Sequence, residues 1–258
     1  YSNRITLSEY RMEKNMQNEK ISLIIPAYNE ASIISDTIGQ AMAYLDNNFC
    51  DYELIIADDG STDNTRELVE AIPNSRLRCV SYKLNRGKGC AVREGVLAAT
   101  GDIIVYTDAD LAYGLEAVGE LVAKLKSSGA GAAIGSRKLH PEGYRDYPPI
   151  RLLASRVFGI ITGLMSGFHY DTQCGLKAFT ATAAREIFSR CENFGFAFDF
   201  EVMMLSEKLG ISVAQLPVMI INHRDSKVRV IRDSIKMFGD IIKIRRSVSN
   251  RMKEEGRK

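Results

Sequence analysis

The sequence predicts an α/β fold built on a mostly parallel sheet with helices on both faces, and three observations predict it. Short apolar runs rich in Ile, Leu and Val alternate four times with longer stretches of helical period. Each intervening stretch is long enough to carry the chain back over the sheet. The apolar runs are continuous rather than alternating, the pattern of strands covered on both faces.

The strands expected in order are ISLIIP (21–26), YELIIA (52–57), LRCVSY (77–82), GDIIVYT (101–107) and AGAAIG (130–135). Between them the apolar spacing predicts helices over 30–46, 63–72, 88–99 and 114–127. The loop KLHPEGYRDYPP then interrupts the alternation with proline and glycine. Beyond it come a helix from Ile150 to Gly167, a short strand GLKAF (175–179), helices near 181–190 and 198–209, a strand near 212–221, and a last helix from about Arg229 to Arg251. Residues 1–20 are polar and are expected to form a flexible leader, with a main domain over 21–228 and a basic helix and tail over 229–258.

Composition narrows the function. With 45% hydrophobic residues in 258, the chain supports one sizeable core. A net charge of +2 gives no electrostatic case for a nucleic-acid partner. Cysteines 50, 79, 90, 174 and 191 form no CxxC pair and no zinc-type spacing, which fits a reducing, cytoplasmic setting. No apolar run reaches the length of a membrane span; VFGIITGLM (157–165) is the longest candidate. The end from Lys243 to Lys258 has seven basic against two acidic residues, so it can face an anionic surface.

Open α/β sheets bind ligands beyond the carboxyl ends of their strands, and four carboxylates are expected there: Asp58, Asp59, Asp108 and Asp110. Asp108 and Asp110 lie on the same side if the strand persists, or both point outward if it breaks into a turn at Ala109. Two converging carboxylates repel unless a cation joins them, and Mg²⁺ or Mn²⁺ with a diphosphate answers this. An isolated pair is explained equally well by a helix N-cap and a solvated turn. In ADDGSTDNT (57–65), Asp58 and Asp59 can accept from a base or ribose, although a strand-to-helix turn accounts for the glycine and hydroxyls. In IIPAYNE (24–30), Pro26 is expected to stop the ladder and send the chain outward, with Tyr28 and Glu30 placed to meet a nucleoside.

PAYNE, DDGSTD, NRGKGCAVREG (85–95) and TGDIIVYTDAD, in that order and spacing, resemble the inverting family 2 glycosyltransferases of GT-A fold. CGLKAF, GFAFDFE (195–201) and DSKVRVIRDS (225–234) bring the likeness to the dolichyl-phosphate glucosyltransferase and mannosyltransferase branch, nearer the glucosyl type. The resemblance covers residues 21 to about 245. It implies that Pro26, Tyr28, Glu30, Ala57 and Asp59 hold the base and ribose, and that Asp108, Ala109 and Asp110 hold metal and diphosphate. It also implies that Arg137 and Lys227 face the phosphates. Two departures stand out. Ala112 occupies a place where relatives often carry a polar side chain, leaving water or phosphate to complete coordination, and INHRD replaces a segment that often carries tryptophan before the SK motif.

The implied reaction moves a hexose, glucose first, from a UDP-sugar, with GDP-mannose the other donor. Its acceptor is a polyprenyl phosphate, which arrives ionised with a second pKa of about 6 and needs cations rather than a base. Arg151, Ser155 and Arg156, on an otherwise apolar helix, suit a phosphate beside a lipid tail; two arginines snorkelling from a core helix is the plainer account. The rival acceptor is a glycan hydroxyl, for which Asp199 is the candidate base, set among aromatics that disfavour its charged form. A third reading is a sensor of sugar nucleotides without turnover. Glu201 is expected to cap or solvate the following helix, and Asp171 and Gln173 either to position an acceptor or to form a turn. The last helix carries Ile231, Ile235, Phe238, Ile241 and Ile242 at helical spacing amid basic residues. It can lie on an anionic leaflet or dock on its own core. Peripheral contact at the cytoplasmic face of a membrane, or an anchored partner subunit, follows from a lipid acceptor.

Overall fold

A computed structural model describes residues 19–145, 152, 159–160, 162–168, 170–195, 197–222 and 230–255. Seven strands form one sheet: β1 Ile21–Ala27, β2 Tyr52–Asp58, β3 Leu77–Ser81, β4 Ile103–Tyr106, β5 Ala132–Ser136, β6 Lys177–Thr180 and β7 Val213–Pro217. The helices are α1 Ile34–Asn48, α2 Thr65–Glu70, α3 Lys88–Ala98, α4 Glu116–Ser128, α5 Ala181–Phe188, α6 Phe198–Lys208 and α7 Val230–Glu255. Every expected strand has its counterpart, with ends shifted by a few residues. Of the helix expected over 150–167, residues 152, 159–160 and 162–166 are helical and the rest lie outside the described residues.

The strand order is β3-β2-β1-β4-β6-β5-β7. β1 pairs in parallel with β2 and β4, β2 with β3 and β5 with β7, whereas β6 runs antiparallel between β4 and β5. "Mostly parallel" therefore holds, with β6 as the reversed strand. The chain leaves β1 toward β2 and β3, then crosses back to place β4 on β1's other side. That reversal opens a crevice past the carboxyl ends of β1 and β4.

All seven residues of β1 and of β2 are buried. Alternation along β1 divides the core between the two faces. Leu23 and Ile25 share one cluster with Ile38 and Leu45 of α1 and Leu121 of α4; Ile24, on the other face, shares the second with Val92 of α3, Phe188, Met203 and Ile241. Pro26 does not stop the ladder, since β1 pairs with β2 as far as Ala27↔Asp58. Pairing with β4 ends at Ile24↔Tyr106. Ile24 O faces β4 by accepting from Thr107 N, and Ala27 O faces β2 by accepting from Asp59 N. By alternation, Pro26 lacks its N–H on the side where β4 has already turned away.

In α7, Ile241, Ile244 and Val248 are buried in the second cluster, and Arg251 donates to Glu201 Oε1 at 2.7 Å. A fully buried aliphatic side chain contributes about 1.5–3 kcal/mol, so this part of the helix is fixed to α6 by its apolar stripe. Ile241 therefore serves the core, and Ile242 is half-buried. The side chains of Ile231, Ile235 and Phe238 lie outside the described residues.

At the amino ends of the strands Glu53 ties three segments together. It accepts from Ser22 Oγ at 2.6 Å, Thr100 N at 2.6 Å and Arg78 Nη1 at 2.8 Å. Burial alone would raise its pKa, but these donors outweigh it and lower the value from 4.5 to about 2. A depressed folded pKa means stability that is complete above the unfolded value and lost as pH falls through the folded one. Glu53→Gln is expected to cost about 1–3 kcal/mol at neutral pH. Urea titrations between pH 5 and 2.5 should show a shallower acid loss in the variant than in the wild type.

Candidate active site

The crevice is lined first by two loops laced to each other. Asn29 adopts a left-handed conformation, φ 54°, which suits its short polar side chain. Its Oδ1 accepts from Thr62 N at 2.7 Å, and its own N donates to Ser61 Oγ at 2.9 Å. Glu30 N donates to Thr65 Oγ1 at 2.9 Å and Ala31 N to Asp63 Oδ2 at 3.2 Å. PAYNE and DGSTDNT thus make one rigid wall. Tyr28 stands at its lip, more than a third exposed, with Glu30 partly buried nearby, while Pro26 and Ala57 face each other in the β1–β2 register.

Asp58 and Asp59 are both buried, and their carboxylates turn inward. Asp58 accepts from the backbone N and hydroxyl of Ser61. Asp59 accepts from Tyr82 Oη at 2.6 Å, Asn85 Nδ2 at 2.8 Å, and the backbone N of Arg86 and Gly87, both at 2.9 Å. Asp59 therefore organises the turn that delivers α3. Gly60 has φ 68°, and a Cβ there would meet the backbone of Leu84 at 2.7 Å, so only glycine lets the two turns close.

α3 begins at Lys88, and its ammonium pairs with Asp108 Oδ1. β4 has ended at Tyr106, so Asp108 and Asp110 occupy a turn: Leu111 N donates to Asp108 O at 3.0 Å, and Leu111 itself has φ 50°. Thr37 of α1 donates to Ala109 O at 2.8 Å from below, and Asn222 Nδ2 donates to Leu111 O at 3.0 Å from the side. Asp110 Oδ1 accepts from Ala112 N at 3.1 Å. A Cβ on Gly175 would run into Asp108 Oδ2, so the chain of residue 175 backs directly onto this carboxylate. Burial would lower the Lys88 pKa, but Asp108, then Asp199 and Asp110, hold it above the usual lysine range. The sequence reading used the motif containing Lys88 without giving that residue a role; its place as the first helical residue after a glycine turn was the available signal.

Could Asp108 and Asp110 hold a divalent ion? Both are hard oxygen donors on one turn, and Lys88 shows that a cation is accepted against Asp108. Among the described residues no group of three or more His, Cys, Asp or Glu could hold a metal ion unaided. The pair fits a magnesium- or manganese-type ion completed by diphosphate oxygens and water.

Two further expected residues are paired internally. Arg137, at the end of β5, makes a two-pronged pair with Asp171, Nε to Oδ2 at 2.8 Å and Nη2 to Oδ1 at 2.7 Å, and both residues are buried. The expectation was a guanidinium facing phosphates; here its charge is met by Asp171. Asp199 Oδ1 accepts from Tyr106 Oη at 2.7 Å and Lys177 Nζ at 2.5 Å. Its aromatic surroundings are real, with Phe198 and Phe200 buried on either side in sequence, but the sequence reading missed the ammonium and phenol hydroxyl that share its oxygen. Glu201 neither caps nor solvates the helix: it is buried within α6, where it accepts from Asn193 N at 2.7 Å and from Arg251 and so ties the preceding loop to α7. Lys227, Arg151, Ser155 and Arg156 lie outside the described residues.

The sequence profile described as "Glycosyl transferase family 2" matches residues 22–188. A dolichyl-phosphate beta-glucosyltransferase of Dictyostelium discoideum is 34% identical over 253 residues, covering 89% of this chain and 75% of that protein. One from Saccharomyces cerevisiae is 31% identical over 267 residues, covering 91% and 77%. Among solved structures, glucosyl-3-phosphoglycerate synthase from Mycobacterium tuberculosis in complex with uridine-diphosphate superposes with a TM-score of 0.68 at 22% identity, over 96% of this chain and 85% of that one. The shared architecture is the GT-A fold.

Proposed function

On the premise that this chain is a glycosyltransferase of family 2, to which it belongs, we propose that it moves glucose from UDP-glucose to a polyprenyl phosphate with inversion at the anomeric carbon. The observation that carries the choice of acceptor is the pairing of Asp199. A hydroxyl acceptor needs a base to remove its proton, and the candidate carboxylate has an ammonium and a phenol hydroxyl on one oxygen. A lipid phosphate arrives ionised and needs no such base. The names of the Dictyostelium and Saccharomyces relatives support the same acceptor class.

In this reading the wall formed by Pro26, Tyr28, Glu30 and Ala57, held in shape by the inward-turned Asp59, receives the nucleoside, and the Asp108–Ala109–Asp110 turn receives a Mg²⁺ or Mn²⁺ ion with the diphosphate. When bound, that ion offsets charge developing on the leaving diphosphate. Lys88 neutralises Asp108 and brings a second positive charge to the same place. Lys227 and Arg137 are assigned to the phosphates by resemblance, Arg137 through release from Asp171 or through its field alone. Arg151, Ser155 and Arg156 are assigned to the acceptor phosphate. The catalytic unit spans 21–228, with 1–20 as leader and 229–258 as basic helix and tail.

Contact with the cytoplasmic face of a membrane belongs to the same proposal. No helix among the described residues is long and apolar enough to cross a bilayer. Ile160 and Leu164, one turn apart, are 63% and 81% exposed. Met165 of the same segment shares a groove with Ile242, Arg245 and Arg246 of α7, a pairing of apolar and cationic groups suited to an anionic leaflet.

The test is release of UDP from UDP-glucose with Mn²⁺, with and without a short polyprenyl phosphate, alongside a panel of other UDP- and GDP-sugars. Release that depends on the lipid phosphate is expected. Release dependent on a glycan instead moves the assignment to a hydroxyl acceptor; tight binding with no product under any condition points to a sensor.

A further inference from the structure

Lys177 opens β6 and is completely buried. Its ammonium has three N–H groups and three acceptors: Asp199 Oδ1 at 2.5 Å, Cys174 O at 2.6 Å and Thr172 O at 3.0 Å. Burying an ammonium costs several kcal/mol before pairing, and apolar side chains of similar volume often fill such a place with no loss of stability. Stability alone is thus a poor account of a lysine here, and its other two bonds show what else it holds.

Both carbonyls belong to the turn joining Asp171 to β6. The near end of that turn is gripped by Arg137 through Asp171, and Cys174 N donates to Asp171 O at 3.1 Å. The far end is gripped by Lys177. Between them Gly175 lies against the Asp108 carboxylate with no room for a Cβ. The β4–β6 register sets Lys177 opposite Tyr106, two residues before Asp108, and the Tyr106 hydroxyl is the second donor on Asp199.

We infer that Lys177 is a positioning residue for donor binding: it fixes the 172–175 turn so that Gly175 backs Asp108 and keeps that carboxylate turned, with Asp110, toward the diphosphate-bound ion. Asp199 serves in this arrangement as the counter-ion that lets Lys177 stay buried and charged. The inference rests on the proposed metal role of Asp108 and Asp110.

Calorimetric titration of the full chain with UDP, with and without Mn²⁺ and with no acceptor present, tests it. Two variants are compared with the wild type. Lys177→Met/Asp199→Leu removes the pair without leaving a lone buried charge, and Gly175→Ala pushes on Asp108 directly while leaving the pair in place. Both are expected to weaken Mn²⁺–UDP binding at least about tenfold while metal-free UDP binds within twofold of wild type, a split that general loosening of the fold would not produce. Metal-dependent affinity unchanged in the folded double variant overturns the inference, as does an equal loss with and without Mn²⁺. If the double variant does not fold, Lys177→Arg, which keeps the charge beside Asp199 but redraws the bonds to the Thr172 and Cys174 carbonyls, decides: unchanged Mn²⁺–UDP affinity overturns the inference, and a metal-specific loss upholds it. A wild type that binds UDP no more tightly with Mn²⁺ overturns the metal reading itself, and the inference with it.

Discussion

Asp108→Asn is expected to lower sugar transfer by at least about a thousandfold while leaving the protein folded. Asparagine preserves the shape of the turn and loses the charge that balances Lys88 and, in the proposed reading, a divalent cation. Stabilisation of a leaving diphosphate by a held cation is worth several kcal/mol, and each 1.4 kcal/mol is a factor of about ten in rate. The cost to stability is far smaller. The Lys88 and Asp108 side chains are 25% and 30% exposed, a partly buried pair that water still reaches, and its loss is expected to cost about 1–2 kcal/mol. UDP release at saturating donor, with thermal unfolding of the same samples, checks both parts. Activity within tenfold of wild type would remove Asp108 from the chemistry; a Tm drop of more than about 10 °C would make it structural. Asp110→Asn should show the same separation, because asparagine keeps an oxygen to accept from Ala112 N.

The legible parts of this molecule were those coded by contiguous residues. β1 and β2 read as buried parallel strands because their centres, Leu23–Ile25 and Leu54–Ala57, are continuous apolar runs, and the Asp108–Asp110 turn was visible because the β4 run ends abruptly in carboxylates. The orientation of β6 was not legible: a four-residue strand has no sign in its own sequence of which way it enters the sheet. Nor was its buried lysine, whose counter-ion is 22 residues away. Arg137 shows the limit of a motif from the other side. Its position by resemblance said phosphate, whereas its partner Asp171, 34 residues on, is recognisable only once β5 and the turn before β6 stand side by side. Pairing across long sequence separation decides whether a charged residue faces ligand or protein, and local pattern carries little of that information.

That pairing makes Asp171→Ala the substitution with the largest expected effect on stability. It leaves Arg137, a residue only 7% exposed, without its carboxylate, with two guanidinium bonds and one backbone N–H bond to Asp171 unmet. Breaking a buried pair in this way costs about 3–5 kcal/mol, a large share of the roughly 5–15 kcal/mol by which a domain is stable. Removing both charges with Arg137→Met/Asp171→Leu is expected to cost less than Asp171→Ala alone, because no uncompensated charge remains. The pH dependence has a definite sign. Burial would raise the Asp171 pKa, but Arg137 outweighs it and holds the carboxyl below its ordinary 3.8. The contribution is therefore present above about pH 4 and is lost as pH falls through the lower folded value, so the gap between wild type and Asp171→Ala should close in acid. Urea midpoints at pH 7 and pH 3 measure this, and a difference under about 1 kcal/mol at pH 7 would show that the pair is dispensable. The same variant bears on the phosphate role expected of Arg137. If the guanidinium leaves Asp171 to meet the donor, losing the carboxylate frees it in advance, and UDP affinity holds or rises even as stability falls. If it acts only by anchoring the turn behind Asp108, affinity and stability fall together.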